Sequence, residues 1–297
     1  MYLQEFIYHK PSTLLEACKL LESEKNAAAI AGGTDILVEI KKGLRHNDNI
    51  VSLSGIKELK ILEESGNQLV IGAAVTHNEI KNSSFIKEKY PALAEAASLI
   101  GTDQVRNTAT VGGNLCTGAS CCDMAPVLIA SNASAEIVST NGKRVVALKD
   151  FFVFHKETSI GKGEIMTKII VPFSEPGTGV CFKKFGLRDA SSISVASASV
   201  MIKTDGNVIT DSCIVVGAVA PTPRISIKAS KILIGSNLKE FEQNVSILSK
   251  VGDEAVKDSL PIGDIRGTAE FRRNIVKVLT RRAVLTALLR AKESLKN

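Results

Sequence analysis

No tryptophan occurs among the 297 residues, and aromatic side chains make up only 4% of the chain. So few flat rings leave little on which bases of a single strand could stack. The net charge of +6 is spread along the chain, so it reads as a solvated basic surface and not as a nucleic-acid interface. No apolar run approaches the roughly 20 residues that span a bilayer, so no membrane partner is expected. The N-terminal Met1-Tyr2-Leu3-Gln4-Glu5 has neither the basic nor the apolar region of a signal peptide, and a cytoplasmic location is expected.

Cysteine and histidine are also scarce. Six cysteines (Cys18, Cys116, Cys121, Cys122, Cys181, Cys213) in a chain of this length do not make a disulfide framework. Cys116 and Cys121 match the opening of a plant-type [2Fe–2S] motif, but Met124 stands where the next cysteine belongs. Cys122 is adjacent to Cys121, a poor geometry for sharing one cluster, so these cysteines are expected as small buried residues near a loop. Four scattered histidines (His9, His46, His77, His155) show no zinc-ligand spacing. A Rossmann fingerprint, a P-loop and a G-x-S-x-G elbow are all missing.

What the chain does have is a globular composition, 44% hydrophobic and 23% charged, and enough length for two domains. It also has two glycine segments, Ala31-Gly32-Gly33-Thr34-Asp35 and Thr110-Val111-Gly112-Gly113-Asn114. Paired glycines admit φ > 0 and let a ligand approach the backbone, and converging N–H groups make an anion-binding concavity. One such segment is an ordinary tight turn. Two with matching polar residues point to a ligand with two phosphates, or with a phosphate and a long polar tail. Backbone N–H groups of Gly32, Gly33 and Thr34, with the Thr34 hydroxyl, could hold a pyrophosphate. Asp35 is repelled by phosphate and is expected to cap the following helix or to order the loop.

Around these segments the patterns alternate. Thr13 caps a helix, Ala27–Ala31 is a strand, Ile36–Lys42 is a helix stopped by Gly43, and Asn49–Leu53 is a strand. Leu59–Leu62 and Gln68–Gly72 flank a hairpin turn at Ser65-Gly66-Asn67. Thr76 caps a short helix, Pro91–Ile100 forms a longer one, and Val105–Ala109 is expected to be extended. Asp123-Met124-Ala125-Pro126 opens a helix, and Ala133–Ser139 and Lys143–Leu148 turn at Asn141-Gly142. Pro, Ser and Gly cluster over Pro172–Gly179, a boundary signal. Beyond it come three strands (Val180–Phe185, Ile193–Lys203, Val208–Ala218) and a long helix over about Thr268–Leu295. On that helix Phe271, Ile275, Val278, Leu279, Leu285 and Leu289 are expected to face the core, with Arg272, Arg273, Arg281 and Arg282 outward.

The segments Ala29-Ile30-Ala31-Gly32-Gly33-Thr34-Asp35-Ile36 and Gln104–Leu115, the latter containing Thr110–Asn114, resemble the two FAD-binding segments of the molybdenum hydroxylases. That family includes xanthine dehydrogenase and carbon monoxide dehydrogenase, and the chain resembles their separate FAD-binding medium subunit. The likeness continues through Asp123–Pro126, Phe182–Arg188 and Asp264–Arg273, nearly the whole chain. One departure is Ser120-Cys121-Cys122, where the family usually has Gly before the aspartate; the spacing from Asn114 to Asp123 is kept.

The resemblance implies an α/β plus α+β architecture. Residues 1–175 would form a vanillyl-alcohol-oxidase (PCMH)-type FAD-binding domain, with subdomains of about 1–55 and 56–175. Residues 176–297 would form a smaller C-terminal α+β domain with a three-stranded antiparallel sheet and helices. It implies FAD as cofactor, with Ala29 to Ile36 on the pyrophosphate and adenosine side and Thr110, Val111, Gly112, Gly113 and Asn114 on the opposite face. Asp123 would accept from the adenosine or ribityl hydroxyls, Ile100 and Met166 would pack on the cofactor, and Lys184 would sit near the flavin ring. It further implies a subunit of a hetero-oligomer. A molybdopterin-containing large subunit would hydroxylate the substrate, and an iron–sulfur subunit with two [2Fe–2S] clusters would relay electrons. The flavin here would pass them to NAD or another acceptor. The alternatives are a self-sufficient FAD-dependent oxidase or reductase of the same fold, and, more distantly, a flavin-free scaffold.

Overall fold

The computed structural model describes residues 3–243 and 245–296. The chain forms two compact units. The first gathers the segment up to Ile80, Thr102–Gly118 and Ala133–Pro172; the second gathers Lys81–Gly101, Ala119–Asn132 and the residues from Phe173 on.

The first unit opens with β1 (Ile7–His9), α1 (Leu14–Ser23), β2 (Ala27–Ile30), α2 (Ile36–Lys41) and β3 (Asn49–Ser52). β3 lies between β1 and β2 and runs parallel to both. Parallel neighbours need crossover connections, which the α1 and α2 segments supply. Thr13 caps α1 by accepting the Glu16 N–H at 3.2 Å. The Glu16 carboxylate reaches one residue past a capping box, to the Ser12 N–H at 2.9 Å. Ala17, Cys18 and Leu21 of α1 pack with Val51, Leu53 and Ile56, while Ala28, Ile30, Ile40 and Ile50 form a second cluster.

β4 (Leu62–Ser65) and β5 (Gln68–Gly72) form the expected hairpin. The expectation that its first arm starts at Leu59 is corrected: Lys57–Lys60 is a 3-10 turn in which Leu59 alone is buried. α3 (His77–Asn82) has a full capping box, with the Glu79 N–H donating to Thr76 Oγ1 at 3.2 Å and the Thr76 N–H to Glu79 Oε2 at 2.7 Å. α4 (Ser84–Lys89) and α5 (Pro91–Ser98) belong to the second unit. α6 (Asp103–Arg106) then replaces the extended stretch expected at Val105. Thr102 caps it by accepting the Val105 N–H at 3.3 Å, and a cap outweighs the weak extended preference of so short a stretch. α7 (Val111–Cys116) returns to the first unit and α8 (Met124–Ala130) to the second.

The remaining strands of the first unit are β6 (Ser134–Ser139), β7 (Gly142–Ala147), β8 (Phe152–Phe154), β9 (Glu157–Thr158) and β10 (Ile165–Pro172). They complete a five-stranded antiparallel sheet in the order β4-β5-β10-β6-β7, with β8 and β9 as a separate ribbon. β10 bulges between Met166 and Lys168, which frees the Thr167 carbonyl to accept from the Ala73 N–H at 2.8 Å.

In the second unit β11 (Thr178–Phe185), β12 (Ala196–Thr204), β13 (Ile209–Gly217) and β14 (Arg224–Ile225) form an antiparallel sheet in that order. The expected three-stranded sheet thus has a fourth strand. It is two residues long and follows Pro221 and Pro223, which mask it as a turn. α9 (Ile227–Leu233), α10 (Leu238–Gln243), α11 (Val245–Lys257) and α12 (Ala269–Ser294) follow. Ala196, Ala198, Val200 and Ile202 of β12 face the core shared with α12. The alternate residues face the other way, where Gly217 leaves only room for Pro126 of α8 (a Cβ there would lie 2.7 Å from Pro126 Cγ).

The orientation of α12 also differs from the expectation. Its buried face is Arg272, Val276, Leu279, Thr280, Ala283, Val284, Ala287, Leu288 and Ala291, while Phe271, Val278, Leu285 and Leu289 are exposed. The alanines decide this, because β11 approaches so closely that a side chain on Gly179 would collide with the backbone at Ala287 and Ala291. Close backbone approach selects small residues, and bulky ones are turned away. Arg272 is therefore buried, while Arg273 and Arg282 are exposed and Arg281 is half-buried.

Candidate functional site

In the first unit the chain leaves β2 through Ala31–Asp35 and enters α2. Gly33 takes φ +73°, a left-handed conformation suited to glycine. Gly32 lies directly on the backbone at Thr108, whose carbonyl oxygen fills the position of a Gly32 Cβ. The first glycine segment is thus pressed against the chain that leads into the second. Asp35 occupies the N-cap position of α2 without making a side-chain cap. Its Oδ2 instead accepts from Thr117 Oγ1 at 3.3 Å, beyond the end of α7. Of its two expected roles, Asp35 takes the ordering of the loop.

The N–H groups of Gly32, Gly33 and Thr34 have no acceptor among the described residues, and all three residues are half-buried. Three consecutive donors without an internal partner are what an anionic ligand would need.

The second segment behaves differently. Thr110 is the N-cap of α7, and its Oγ1 accepts the Gly113 N–H at 3.1 Å. The N–H of Val111 goes to the Val75 carbonyl at 3.0 Å, that of Gly112 to Ala73 at 2.9 Å, and that of Asn114 to Thr110 at 2.9 Å. Gly112 and Gly113 are helical, with no positive φ. The first segment thus leaves three N–H groups without an internal acceptor among the described residues, whereas those of Val111, Gly112, Gly113 and Asn114 are all taken. In the second the donors are spent on anchoring α7. Gly112 is needed there because a Cβ would lie 2.6 Å from the Ala73 carbonyl oxygen. Met166, buried on β10, belongs to the same unit.

His77, at the start of α3, was not singled out by sequence. It is fully buried and neither ring nitrogen has a hydrogen-bond partner among the described residues. Burial, helped by the Arg106 guanidinium, lowers its pKa to about 4, so the ring is neutral at pH 7.

The second unit brings together Asp123 and Lys184 and also contains Ile100. Lys184 Nζ donates to Asp123 Oδ2 at 2.6 Å and to the Leu99 carbonyl at 2.9 Å, next to Ile100. Ser194 Oγ, also missed by sequence, donates to Asp123 Oδ1. Both members of this ion pair are only 7% exposed. Burial raises the Asp123 carboxyl above its ordinary range, against the opposing pull of Lys184 and Ser194. Nothing local signals Ser194, which reaches Asp123 across 71 residues. The neighbouring cysteines are not uniformly buried as expected: Cys122 is buried, Cys121 is half-buried and Cys116 is exposed. Burial raises the Cys122 thiol pKa, which keeps it un-ionised.

A profile described as the FAD binding domain in molybdopterin dehydrogenase matches residues 4–174. The chain belongs to this FAD-binding family. Residues 181–287 match the C-terminal domain of carbon monoxide dehydrogenase flavoproteins, and the family's enzymes are oxidoreductases. The glyceraldehyde dehydrogenase medium chain of Sulfolobus acidocaldarius is 33% identical, over 95% of this chain and 98% of that one. The carbon monoxide dehydrogenase medium chain of Afipia carboxidovorans is 32% identical, over 97% and 98%. Among solved structures, carbon monoxide dehydrogenase from Oligotropha carboxidovorans superposes with a TM-score of 0.92 at 30% identity, covering 98% of this chain and all of that chain (100%). Quinoline 2-oxidoreductase from Pseudomonas putida gives 0.90 at 27%, covering 98% and 100%. The three partnerless N–H groups and the close approach at Gly32 fit the diphosphate that FAD carries. No helix among the described residues is long and apolar enough to cross a membrane.

Proposed function

We propose that this chain is the electron-transfer subunit of a molybdenum hydroxylase complex, located in the cytoplasm. Its partners would be an iron–sulfur subunit with two [2Fe–2S] clusters and a molybdopterin-containing large subunit. The bound flavin supplies two-electron storage between the iron–sulfur donor and NAD or another acceptor. The PCMH-type domain would occupy residues 1–175, with subdomains near 1–55 and 56–175, and the C-terminal domain residues 176–297.

The observation that carries this reading is the row of partnerless donors at Gly32, Gly33 and Thr34 in a chain of this FAD-binding family. These donors hold the diphosphate, and Ala29, Ile30, Ala31, Asp35 and Ile36 fix their position. Thr110, Val111, Gly112, Gly113 and Asn114 hold α7 beside them. Charge-assisted hydrogen bonds of this kind contribute about 1.5–3 kcal/mol each, so three would anchor a diphosphate firmly. Met166 and Ile100 supply apolar contact. Asp123 offers a carboxylate to hydroxyl groups, and it locks Lys184 against the Leu99 carbonyl so that the ammonium keeps one position. A fixed cation stabilises negative charge that develops beside it.

The test is purification of the native complex through a tag on this chain, with FAD, molybdenum and iron measured per chain. All three are expected to co-purify. Recovery of the chain alone, with neither metal, or turnover of a substrate by the isolated chain, would overturn the subunit reading.

A further inference from the structure

Beyond Phe271, whose ring packs edge-on against Phe185, the apolar residues on the outer face of α12 are left exposed. At 100° per residue, Phe271, Val278, Leu285 and Leu289 fall on one stripe, and all four are exposed. That stripe is opposite the buried face formed by Val276, Ala283 and Ala287. The helix is therefore apolar on two opposed sides. A helix covered on one side only would carry polar residues on the other, so the second stripe calls for a second cover. From Phe271 to Leu289 the stripe is about 27 Å long at 1.5 Å per residue.

Charge indicates what that cover is. Between Phe271 and Leu289 there are five cationic residues, Arg272, Arg273, Lys277, Arg281 and Arg282, and no carboxylate. Arg272 is paired with Asp264 and Lys277 with Asp253. Arg273, Arg281 and Arg282 have no ion pair among the described residues. Arg282 lies within the apolar stripe itself, and with Arg281 it sits at its midpoint. Two copies of α12 placed about a two-fold axis at that midpoint would bring these arginines face to face, and like charges at an interface weigh against it.

We propose that the outer face of α12 is the docking ridge for a partner subunit of the complex, which presents an apolar furrow flanked by Asp and Glu. The ridge inserts Val278, Leu285 and Leu289, and Arg281 and Arg282 meet the partner's carboxylates. This rests on the reading of the chain as a subunit of a larger enzyme.

The experiment uses the native complex purified through tagged wild-type chain, the double variant Val278→Glu/Leu285→Glu, the single variant Arg282→Glu and a control, Leu15→Glu. Leu15 is equally exposed but lies on α1. The double variant is expected to keep wild-type FAD content and circular dichroism while retaining at least about tenfold less molybdenum and iron, as loss of central apolar contacts does at interfaces. Arg282→Glu, which removes no apolar contact, is expected to release the partner at lower salt, and Leu15→Glu to behave as wild type. Wild-type metal content in both α12 variants overturns the ridge. So does loss of a homodimer or of binding to anionic lipid vesicles in place of loss of metals. Absence of metals from the wild-type preparation overturns the subunit reading instead.

Discussion

The Thr108 carbonyl oxygen fills the space where a Gly32 Cβ would be, so the first glycine segment and the approach to the second are in backbone contact. No side chain fits there without moving one segment off the other. Gly32→Ala is expected to lower FAD affinity by at least about tenfold and stability by about 1–3 kcal/mol, the usual cost of overpacking. Gly113→Ala meets only Thr110 Oγ1 at 3.0 Å and lies in a helix without positive φ. Alanine is the better helix former by about 1 kcal/mol, so this variant is expected to stay within about 1 kcal/mol of wild type and to keep FAD. Flavin-fluorescence titration and urea unfolding read both. Equal losses in the two variants would contradict the division of roles between the segments.

The buried pair of Asp123 and Lys184 leads to a second expectation. Removing one partner leaves a charge at 7% exposure without its counter-ion, a change that costs about 3–5 kcal/mol. Lys184→Met should show that loss in urea unfolding. Asp123→Asn/Lys184→Met, which leaves no lone charge, should recover most of it. A double variant as unstable as the single one would show that the pair is not what stabilises this region.

His77 makes stability depend on pH. Its folded pKa of about 4 lies below the ordinary 6.5, so as pH falls the unfolded chain takes up a proton before the folded one does. The contribution is complete above pH 6.5 and is lost as pH falls towards 4. At about 1.4 kcal/mol per pKa unit, the fall over that window is about 3 kcal/mol. His77→Leu should flatten this part of the profile, since neither ring nitrogen has a partner to lose. Melting temperatures of both proteins between pH 7 and 4.5 measure it, and parallel curves would contradict it.

Local chemistry was readable where it acts over a few residues. The caps at Thr13 and Thr76, the turn at Asn141-Gly142 and the helix at Met124 all stand where the pattern places them. The first glycine segment was legible as a donor cradle because Gly-Gly-Thr directly follows an apolar strand. The second was not legible as an anchor, because its N–H groups are claimed by Ala73 and Val75, about 40 residues away. β10 is the central strand of its sheet, but Thr167 and Lys168 interrupt its apolar residues, so no continuous strand pattern marks it. On α12 a hydrophobicity stripe favours bulky residues, whereas close approach at Gly179 selects the alanines. The partners of Asp123 lie 61 and 71 residues from it, beyond any local pattern.

The cradle at Gly32, Gly33 and Thr34 is expected to hold FAD. The most direct test is an ultraviolet–visible titration of the purified full-length chain with FAD, run beside Gly32→Ala. Saturable, equimolar binding with a perturbed flavin spectrum is expected in the wild type, and at least about tenfold weaker binding in the variant. A wild-type chain that shows no flavin absorbance even after FAD is added, or a variant that binds as well as wild type, would contradict this expectation.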